Sequence, residues 1–530
     1  MADTMSGRMS EASGTVGVTE EPRGSAADPG EATRQASRID HLFVAGVVAV
    51  CVVLRFVTTS PLWLDEALSV NIASLPVGDI FEALRQDGHP PLYYVLLHYW
   101  MELVGEGDAA IRSLSGLFSV ATLPLAWIAG ARRWGRSGAL AVLLVTAVTP
   151  FSLRYATEAR MYSLVPLLAL AAWLVADDLR RRPDRRRWVA LAVLTGLLLL
   201  THYWALYLGV ASVGLLAWRW WRHGARTEAI RLGSALAAGG LLFVPWLPSF
   251  AYQAANTGTP WGTAGRPTRA VTELAGGLGG GFHFPEGLLF GFSVAALTLL
   301  GLFIVSVDGV RATLDLRTSV TVRAEVAIVV ATMGVGVAAG LASNSTFIVR
   351  YAAVVVPMLF VAAGIGLARL PAPWPRRVVA LTLVALALPG AFVNVDEART
   401  QGEAVADAIE AGGSPGDLVV FCPDQLGPST LRTLDERFEA VAVPTLERPD
   451  RIDWVDYQDR NESADPAAVA ADLLALAEGR TIWLVYSTSY RTYEDLCPGV
   501  IGRLVEARSA DLVLSPDEVF EPATLSRFDP

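Results

Sequence analysis

Leu288–Val307 reads LLFGFSVAALTLLGLFIVSV, 20 residues without a charged side chain. A helix rises 1.5 Å per residue, so such a run covers the ~30 Å hydrocarbon core of a bilayer. Leu42–Val57, Ser113–Gly130 and Val378–Val395 read the same way. The whole chain of 530 residues is 53% hydrophobic and only 18% charged, with mean hydropathy +0.42. A soluble protein of this length would expose more charge and keep its apolar runs short and periodic. The sequence therefore predicts a multi-pass helical membrane protein.

All 42 basic residues are Arg, so any phosphate contact by a permanently charged side chain must come from a guanidinium. The net charge of −10 is split unevenly: residues 396–530 hold 27 acidic residues against 11 Arg. The rest of the chain is therefore basic. Nothing in this distribution points to nucleic acid as a partner.

Arginine clusters orient the spans. Arg132/Arg133/Arg136, Arg180 to Arg187, Arg219/Arg222/Arg226/Arg231, Arg311/Arg317/Arg323 and Arg369/Arg376/Arg377 all fall inside if the amino terminus is cytoplasmic. The spans that satisfy this are about 40–57, 111–131, 138–153, 160–177, 188–202, 204–218, 232–250, 288–307, 325–342, 351–369 and 378–395. The expected fold is an all-α polytopic membrane domain of about eleven transmembrane helices. A soluble α/β domain follows at the carboxyl terminus. Pro90–Val104 is apolar but too short to cross, and a span there would turn every later Arg cluster outward. It is expected to lie on or dip into the outer leaflet.

Three regions follow: a disordered cytoplasmic tail at 1–37, rich in Gly, Ala, Ser and Glu; a membrane domain at 38–395; and an acidic extracytoplasmic domain at 396–530. In the last, 417–422, 481–486 and 511–514 read as strands, and 466–478 and 493–508 as helices. Cys422 and Cys497 lie where disulfides persist, but spacing alone does not show that they meet. Cys51 sits in an apolar helix. The run GGLGGG at 276–281 follows no strand and reads as a flexible turn.

Polar groups at the outer membrane boundary are the informative ones, because ionisable residues at membrane depth are costly. Five clusters fall on that side. In WLDEA (63–67), Asp65 or Glu66 suits a general base, or equally a helix N-terminus. In GHPPLYY (88–94), His89 suits a phosphate contact, and the tyrosines suit an interfacial belt. In RYATEARMY (154–162), Glu158 and Arg160 suit either a lipid headgroup site or a structural pair. In THYW (201–204), His202 reads first as a satisfied structural group. Arg350-Tyr351 opens a late span, where Arg350 clamps a phosphate or snorkels to the headgroups.

Taken in order, WLDEA, GHPPLYYVLLHYW, RYATEARMYSL, THYW and the late RY helix resemble the bacterial protein-mannosyltransferase-like and aminoarabinose-transferase-like glycosyltransferases of the C-type (GT-C) fold. The resemblance covers residues 40–395. It implies a transferase that uses a polyprenyl-monophosphate sugar at the outer membrane face. The essential acidic residue of the first outer loop maps to Asp65, with Glu66 beside it. The position contacting the lipid phosphate, Lys in some relatives, is His89 here. A second acidic residue maps to Glu158, within a pattern written Ser-Gln-Glu-Ala-Arg-Met-Tyr in relatives. Ala156-Thr157 depart from that pattern, whereas Arg160 and Tyr162 match it. The acidic tail has no counterpart in the resemblance.

The chemistry this implies is an inverting displacement. Asp65 takes the proton of an acceptor hydroxyl (protein, glycan or lipid), while Arg160 and Arg350 stabilise the departing polyprenyl phosphate. His202 and Tyr162 join the donor-binding group. Asp65 and Glu158 are hard oxygen ligands of the kind magnesium or manganese takes, but two carboxylates are too few to predict a metal. The competing class is a membrane transporter or lipid flippase with an accessory domain, which calls for inverted repeats and helices broken at the midplane. Neither is visible in the sequence.

Overall fold

The computed structural model describes residues 29–258, 266–281, 285–308, 311–343, 347–371, 373–488 and 490–530. Residues 1–28 of the expected tail therefore lie outside it, as do parts of two outer loops. Two compact units are distinguished, the stretch through Phe43 and Val44–Pro530. Apart from the start of the first helix, the second holds every feature discussed below.

The chain opens with α1 (Pro29–Leu54), which begins ahead of the expected first span. Short helices α2 (Leu64–Ala73), α3 (Val77–Asp87) and α4 (Leu92–Val104) follow, with α4 in place of the expected juxtamembrane helix. Next come α5 (Asp108–Val148), α6 (Pro150–Ala156), α7 (Leu164–Arg181), α8 (Arg185–Leu199), α9 (Trp204–His223), α10 (Arg226–Leu241), α11 (Leu247–Asn256) and α12 (Pro267–Leu278). After α13 (Pro285–Phe303) the chain forms a hairpin of β1 (Ile304–Asp308) and β2 (Arg311–Leu314). The helical region ends with α14 (Arg323–Ser343), α15 (Val356–Ala368) and α16 (Pro373–Asp396).

The chain is a multi-pass membrane protein. Among the described residues, 5 helices are long and apolar enough to cross a bilayer, or 6 if the bent pair α10 and Val244–Asn256 is one span. Large apolar side chains such as Leu117, Leu241, Leu289, Val330 and Phe392 point outward from these helices, which suits lipid surroundings and not water. Three expected spans are shorter as α-helix, and of 351–369 only Val356–Ala368 is α-helical. The run 288–307 leaves the helix after Phe303, because its last residues, rich in β-branched Ile and Val, pair in the hairpin. The run 232–250 breaks near Pro245 and bends by 44°.

Close helix contact needs small residues. A Cβ on Gly366 of α15 would sit 1.8 Å from the Leu297 carbonyl oxygen of α13. Helix α5 covers two expected spans because it is broken at Trp134-Gly135, where Gly135 takes φ 57°, a conformation a side chain would strain.

The carboxyl-terminal region comprises α17 (Gly402–Gly412), β3 (Leu418–Cys422), α18 (Gly427–Leu431), β4 (Glu439–Ala442), α19 (Tyr457–Glu462), α20 (Pro466–Ala477), β5 (Ile482–Tyr486), α21 (Leu496–Ala507), β6 (Ser509–Leu514) and β7 (Thr524–Asp529). The strand order is β4-β3-β5-β7-β6, with β4, β3 and β5 parallel and β7 antiparallel to both neighbours. Alternation along β3 sends Leu418, Val420 and Cys422 to one face and Val419 and Phe421 to the other. Cys422 and Cys497 are joined in a disulfide inside the first of these cores. The same core takes in Trp63, Leu64 and Leu68, so the sheet region is packed directly on α2.

Candidate functional site

Helix α2 presents two carboxylates in succession, and they face different surroundings. Neighbours in a helix are turned about 100° apart, so Asp65 and Glu66 cannot share a partner set. Asp65 Oδ2 accepts from Arg350 Nη1 at 2.7 Å and lies 3.7 Å from Arg160 Nη2. Its Oδ1 makes no hydrogen bond among the described residues. Burial raises the Asp65 carboxyl, but Arg350 and Arg160 together outweigh it and hold the group below its ordinary value.

Glu66 is fully enclosed. Its Oε1 accepts from Arg112 Nε (2.7 Å) and the Ala159 amide (2.8 Å), and its Oε2 accepts from Arg112 Nη2 (2.6 Å). Arg399 Nη1 adds a longer contact of 3.5 Å. Burial works against this charge, yet Arg112 and then Arg399 hold the carboxyl at about 2. Arg399 also donates to Thr157 O (2.8 Å), Thr157 Oγ1 (2.8 Å) and Asn394 Oδ1 (3.1 Å). Glu66 thus ties together α2, α5, the 157–160 loop and the start of the carboxyl-terminal region. No face of it is left for a substrate.

Arg160 is buried at the end of that loop. Its Nη2 donates to His89 Nε2 at 3.1 Å, and its Nη1 reaches Asp65 O (3.3 Å), Ser69 Oγ (3.3 Å) and Tyr94 OH (3.4 Å). Because His89 Nε2 accepts from a guanidinium, its proton sits on Nδ1, which donates to Asp87 Oδ2 at 2.8 Å. Tyr94 OH donates to the same oxygen at 2.9 Å. Gly88, at φ 85°, ends α3 between Asp87 and His89 and turns the chain so that both meet. His89 thus links Asp87 to Arg160 through its two ring nitrogens.

Glu158 lies beneath, 3.3 Å from Arg154 through Oε2, with Oε1 buried and unpartnered. Burial pushes its carboxyl up, Arg154 opposes this, and nearby Glu66 and Asp65 add to the rise. Tyr162, Arg350 and Trp63 complete the cluster. The Arg350 guanidinium is 5.8 Å from the Tyr162 ring and 6.0 Å from the Trp63 ring, and Arg160 is 5.9 Å from Tyr162. His202 stands behind Tyr162 at 5.6 Å and beside Tyr351 at 5.5 Å. Its Nδ1 accepts from the Trp204 amide at 3.1 Å, so this nitrogen serves the start of α9.

The structure therefore brings Asp65, His89, Glu158, Arg160, Tyr162 and Arg350 to one place, with His202 a ring further out and Glu66 turned away. On the two arginines and Tyr162, three buried donors have no hydrogen-bond partner among the described residues: Arg160 Nε, Tyr162 OH and Arg350 Nε. Unpaired buried donors are expensive, and three of them on and beside two guanidiniums suit an anion. A divalent cation fits the arrangement poorly. Among the described residues no three His, Cys, Asp or Glu side chains gather as ligands, and the carboxylates present already face arginines. Sequence reasoning missed Asp87, Arg112, Arg399 and Trp63 as members of the site. Asp87, two residues before His89 across a glycine, was the one most open to notice.

Residues 88–248 match the family described as dolichyl-phosphate-mannose-protein mannosyltransferase, less than half of the chain. A comparison with curated proteins finds no match. Among solved structures the chain is similar to ArnT from Cupriavidus metallidurans in the apo state, with TM-score 0.56, 14% identity, 91% of this chain and 97% of that chain covered. The same protein bound to undecaprenyl phosphate gives TM-score 0.56 and 14% identity over 91% of this chain and 98% of that one. Arabinofuranosyltransferase AftD from Mycobacteria gives TM-score 0.47 and 15% identity, covering 92% of this chain and 41% of that chain. Over nearly its whole length the chain has the fold of ArnT, and at the level of fold the GT-C resemblance of its motifs is borne out.

Proposed function

We propose that this protein is an integral-membrane glycosyltransferase that moves a sugar from a polyprenyl-phosphate donor to an acceptor hydroxyl on the extracytoplasmic side. The observation that carries this reading is the pairing of Asp65 with Arg350 and Arg160 beside three unfilled donors. In support, ArnT of the same fold binds undecaprenyl phosphate.

The proposed reaction is a single displacement. A lone pair of the acceptor oxygen forms a bond to the anomeric carbon as the bond from that carbon to the phosphate oxygen breaks. The electron pair of the broken bond leaves with polyprenyl phosphate, facing Arg160 and Arg350. The acceptor proton passes to Asp65 Oδ1. When the phosphate arrives it competes for both guanidiniums, and Asp65, freed of part of their attraction, becomes a stronger base. His89, Asp87 and Tyr94 hold Arg160 in place. Glu66 is a positioning residue that fixes the 157–160 loop on α2, and His202 supports the Tyr162 ring.

The orientation we propose is supported by α5. Arg112, at the site, is followed twenty residues later by Arg132 and Arg133, about 30 Å on at 1.5 Å per residue. There Arg133 meets Glu325 at 2.6 Å and Arg132 meets Asp178 at 3.0 Å, among the arginines of α7. Arginine excess marks the cytoplasmic face, which leaves the Asp65 pocket outside. The proposed arrangement is a cytoplasmic amino terminus, eleven membrane-crossing segments within 38–395, and an extracytoplasmic α/β domain at 396–530 in a multi-pass plasma-membrane protein.

The test is turnover by purified protein given polyprenyl-phosphate sugars with different labelled sugars. Release of polyprenyl phosphate by the wild type, lost in Asp65→Asn, is expected. Equal release by both proteins removes Asp65 as base, and use of nucleotide sugars alone removes the donor class.

A further inference from the structure

Trp63 meets a residue from the far end of the chain. Phe520 packs edge to face against it, with ring centroids 5.0 Å apart and planes at 85°, yet Phe520 remains 68% exposed. It is not carried on loose chain. Glu521 N donates to Arg399 O (2.9 Å) and Gln401 N to Glu521 O (3.3 Å). The Gln401 side chain takes the amides of Asp517 (3.0 Å) and Ala523 (2.8 Å) and donates to Ser515 O (3.2 Å). The segment between β6 and β7 is thus strapped to the chain's approach to the sheet, and it holds a large, exposed apolar ring against Trp63.

The corner below that ring is polar and incomplete. Trp63 Nε1 and Glu158 Oε1 are buried without hydrogen-bond partners among the described residues. Arg154 links them, 5.8 Å from the Trp63 ring and 3.3 Å from Glu158 Oε2. One corner therefore offers an unused donor, an unused acceptor, a guanidinium and two aromatic rings. An acyl chain would satisfy only the rings. A sugar ring answers all of them, since its hydroxyls both donate and accept and its C–H face lies flat on an aromatic surface.

We propose that Trp63, Phe520, Arg154 and Glu158 form a carbohydrate subsite, and that it seats the acceptor, which is accordingly a glycan. This rests on the transferase reading above. The donor's own sugar has the same chemistry, but Phe520 is carried by the carboxyl-terminal region, whereas His89, Arg160 and Arg350 belong to the helical region, and on that ground we assign the subsite to the acceptor.

The test uses the full chain in detergent and saturation-transfer NMR. The probes are methyl mannopyranoside, methyl galactopyranoside and methyl arabinofuranoside, with a serine- and threonine-containing peptide as contrast. Binding of undecaprenyl phosphate is followed separately. At least one glycoside is expected to give signal with the wild type. That signal should drop about fivefold or more in Phe520→Ala and persist in Phe520→Trp, with undecaprenyl phosphate bound equally by all three. Adding undecaprenyl phosphate mannose should leave it in place. The inference is overturned if no glycoside binds, if Phe520→Ala changes nothing, if only the peptide signal depends on Phe520, or if the mannose donor displaces the glycoside. Failure of the wild type to bind undecaprenyl phosphate sinks the transferase reading instead, and the glycoside result stays readable beside it.

Discussion

Arg350 and Asp65 stand 285 positions apart in the chain and meet at 2.7 Å, where one carboxylate oxygen holds one guanidinium nitrogen. The pair joins the first helix after α1 to the turn before α15. It also sets up a competition, because the cation that steadies the carboxylate is the one a donor phosphate needs.

The competition makes the Asp65→Asn variant informative beyond loss of activity. Removing the charge should cut turnover by about 10²–10⁴, the usual range for a lost general base. Undecaprenyl phosphate should nevertheless bind more tightly, since Arg350 and Arg160 no longer have to leave a carboxylate. Native mass spectrometry across a lipid titration checks this, and weaker binding by the variant would contradict it.

Glu66 should behave quite differently. Its replacement by Gln leaves Arg112 and Arg399 without their buried counter-charge, a change that typically costs about 3–5 kcal/mol. We expect a marked fall in melting temperature in detergent, and turnover lost in proportion to unfolding. The pH dependence has a definite sign. A carboxyl held at about 2 in the fold releases its proton more readily there than in the unfolded chain. Its stabilisation is present above the ordinary glutamate range and lost as pH falls toward about 2. The wild type should lose stability over that acid window, and Glu66→Gln should show a flatter response.

Glu521 should show the reverse. It is buried beside the Thr400 and Ser429 hydroxyls and the Leu64 amide, with no formed hydrogen bond to either oxygen. Burial raises its carboxyl to about 8 despite those neighbours. The folded form therefore keeps a proton that the unfolded chain gives up, and stability declines from pH 4.5, its ordinary value, up to about 8. Glu521→Gln should raise the melting temperature at neutral pH and make little difference below pH ~4. Melting curves at both pH values decide it; an equal effect at both would count against the account.

The disulfide offers a check on placement. Cys422 and Cys497 close 75 positions of chain within the sheet's core, a loop length for which chain entropy alone gives a crosslink about 4–5 kcal/mol. Replacing both by Ser should lower the melting temperature of the carboxyl-terminal region while leaving undecaprenyl phosphate binding intact. A reductant effect on the wild type that is missing in the double variant would confirm the source.

Much of the candidate site was legible because it is written in short motifs at helix ends: WLDEA, GHPP, EARMY and the late RY. Charge at membrane depth stands out, so Asp65, Arg160 and Arg350 could be singled out before any coordinates. The division of labour between Asp65 and Glu66 was harder to see. Helical geometry says the two diverge, but only packing shows that Glu66 turns to Arg112, which the sequence buries inside an apolar span. Arg399 was obscured for a similar reason, since an arginine just past a last span reads as an ordinary surface residue. In the carboxyl-terminal region the strongly apolar β3 and β5 could be read directly. Short β4, and β7 with its polar Ser526 and Arg527, lack the alternation that marks a strand. The hairpin after α13 was hidden in a run apolar enough to pass as membrane helix.

The measurement that bears most directly on the central claim is the affinity of the purified protein for undecaprenyl phosphate, compared among wild type, Arg350→Ala and Arg160→Ala. Losing one buried charge-assisted contact typically costs about 2–5 kcal/mol, so each variant should bind at least about tenfold more weakly, with Arg350→Lys recovering only part. Equal affinity in all three proteins, with folding intact, would mean that the phosphate does not sit between these arginines, and the account would fail.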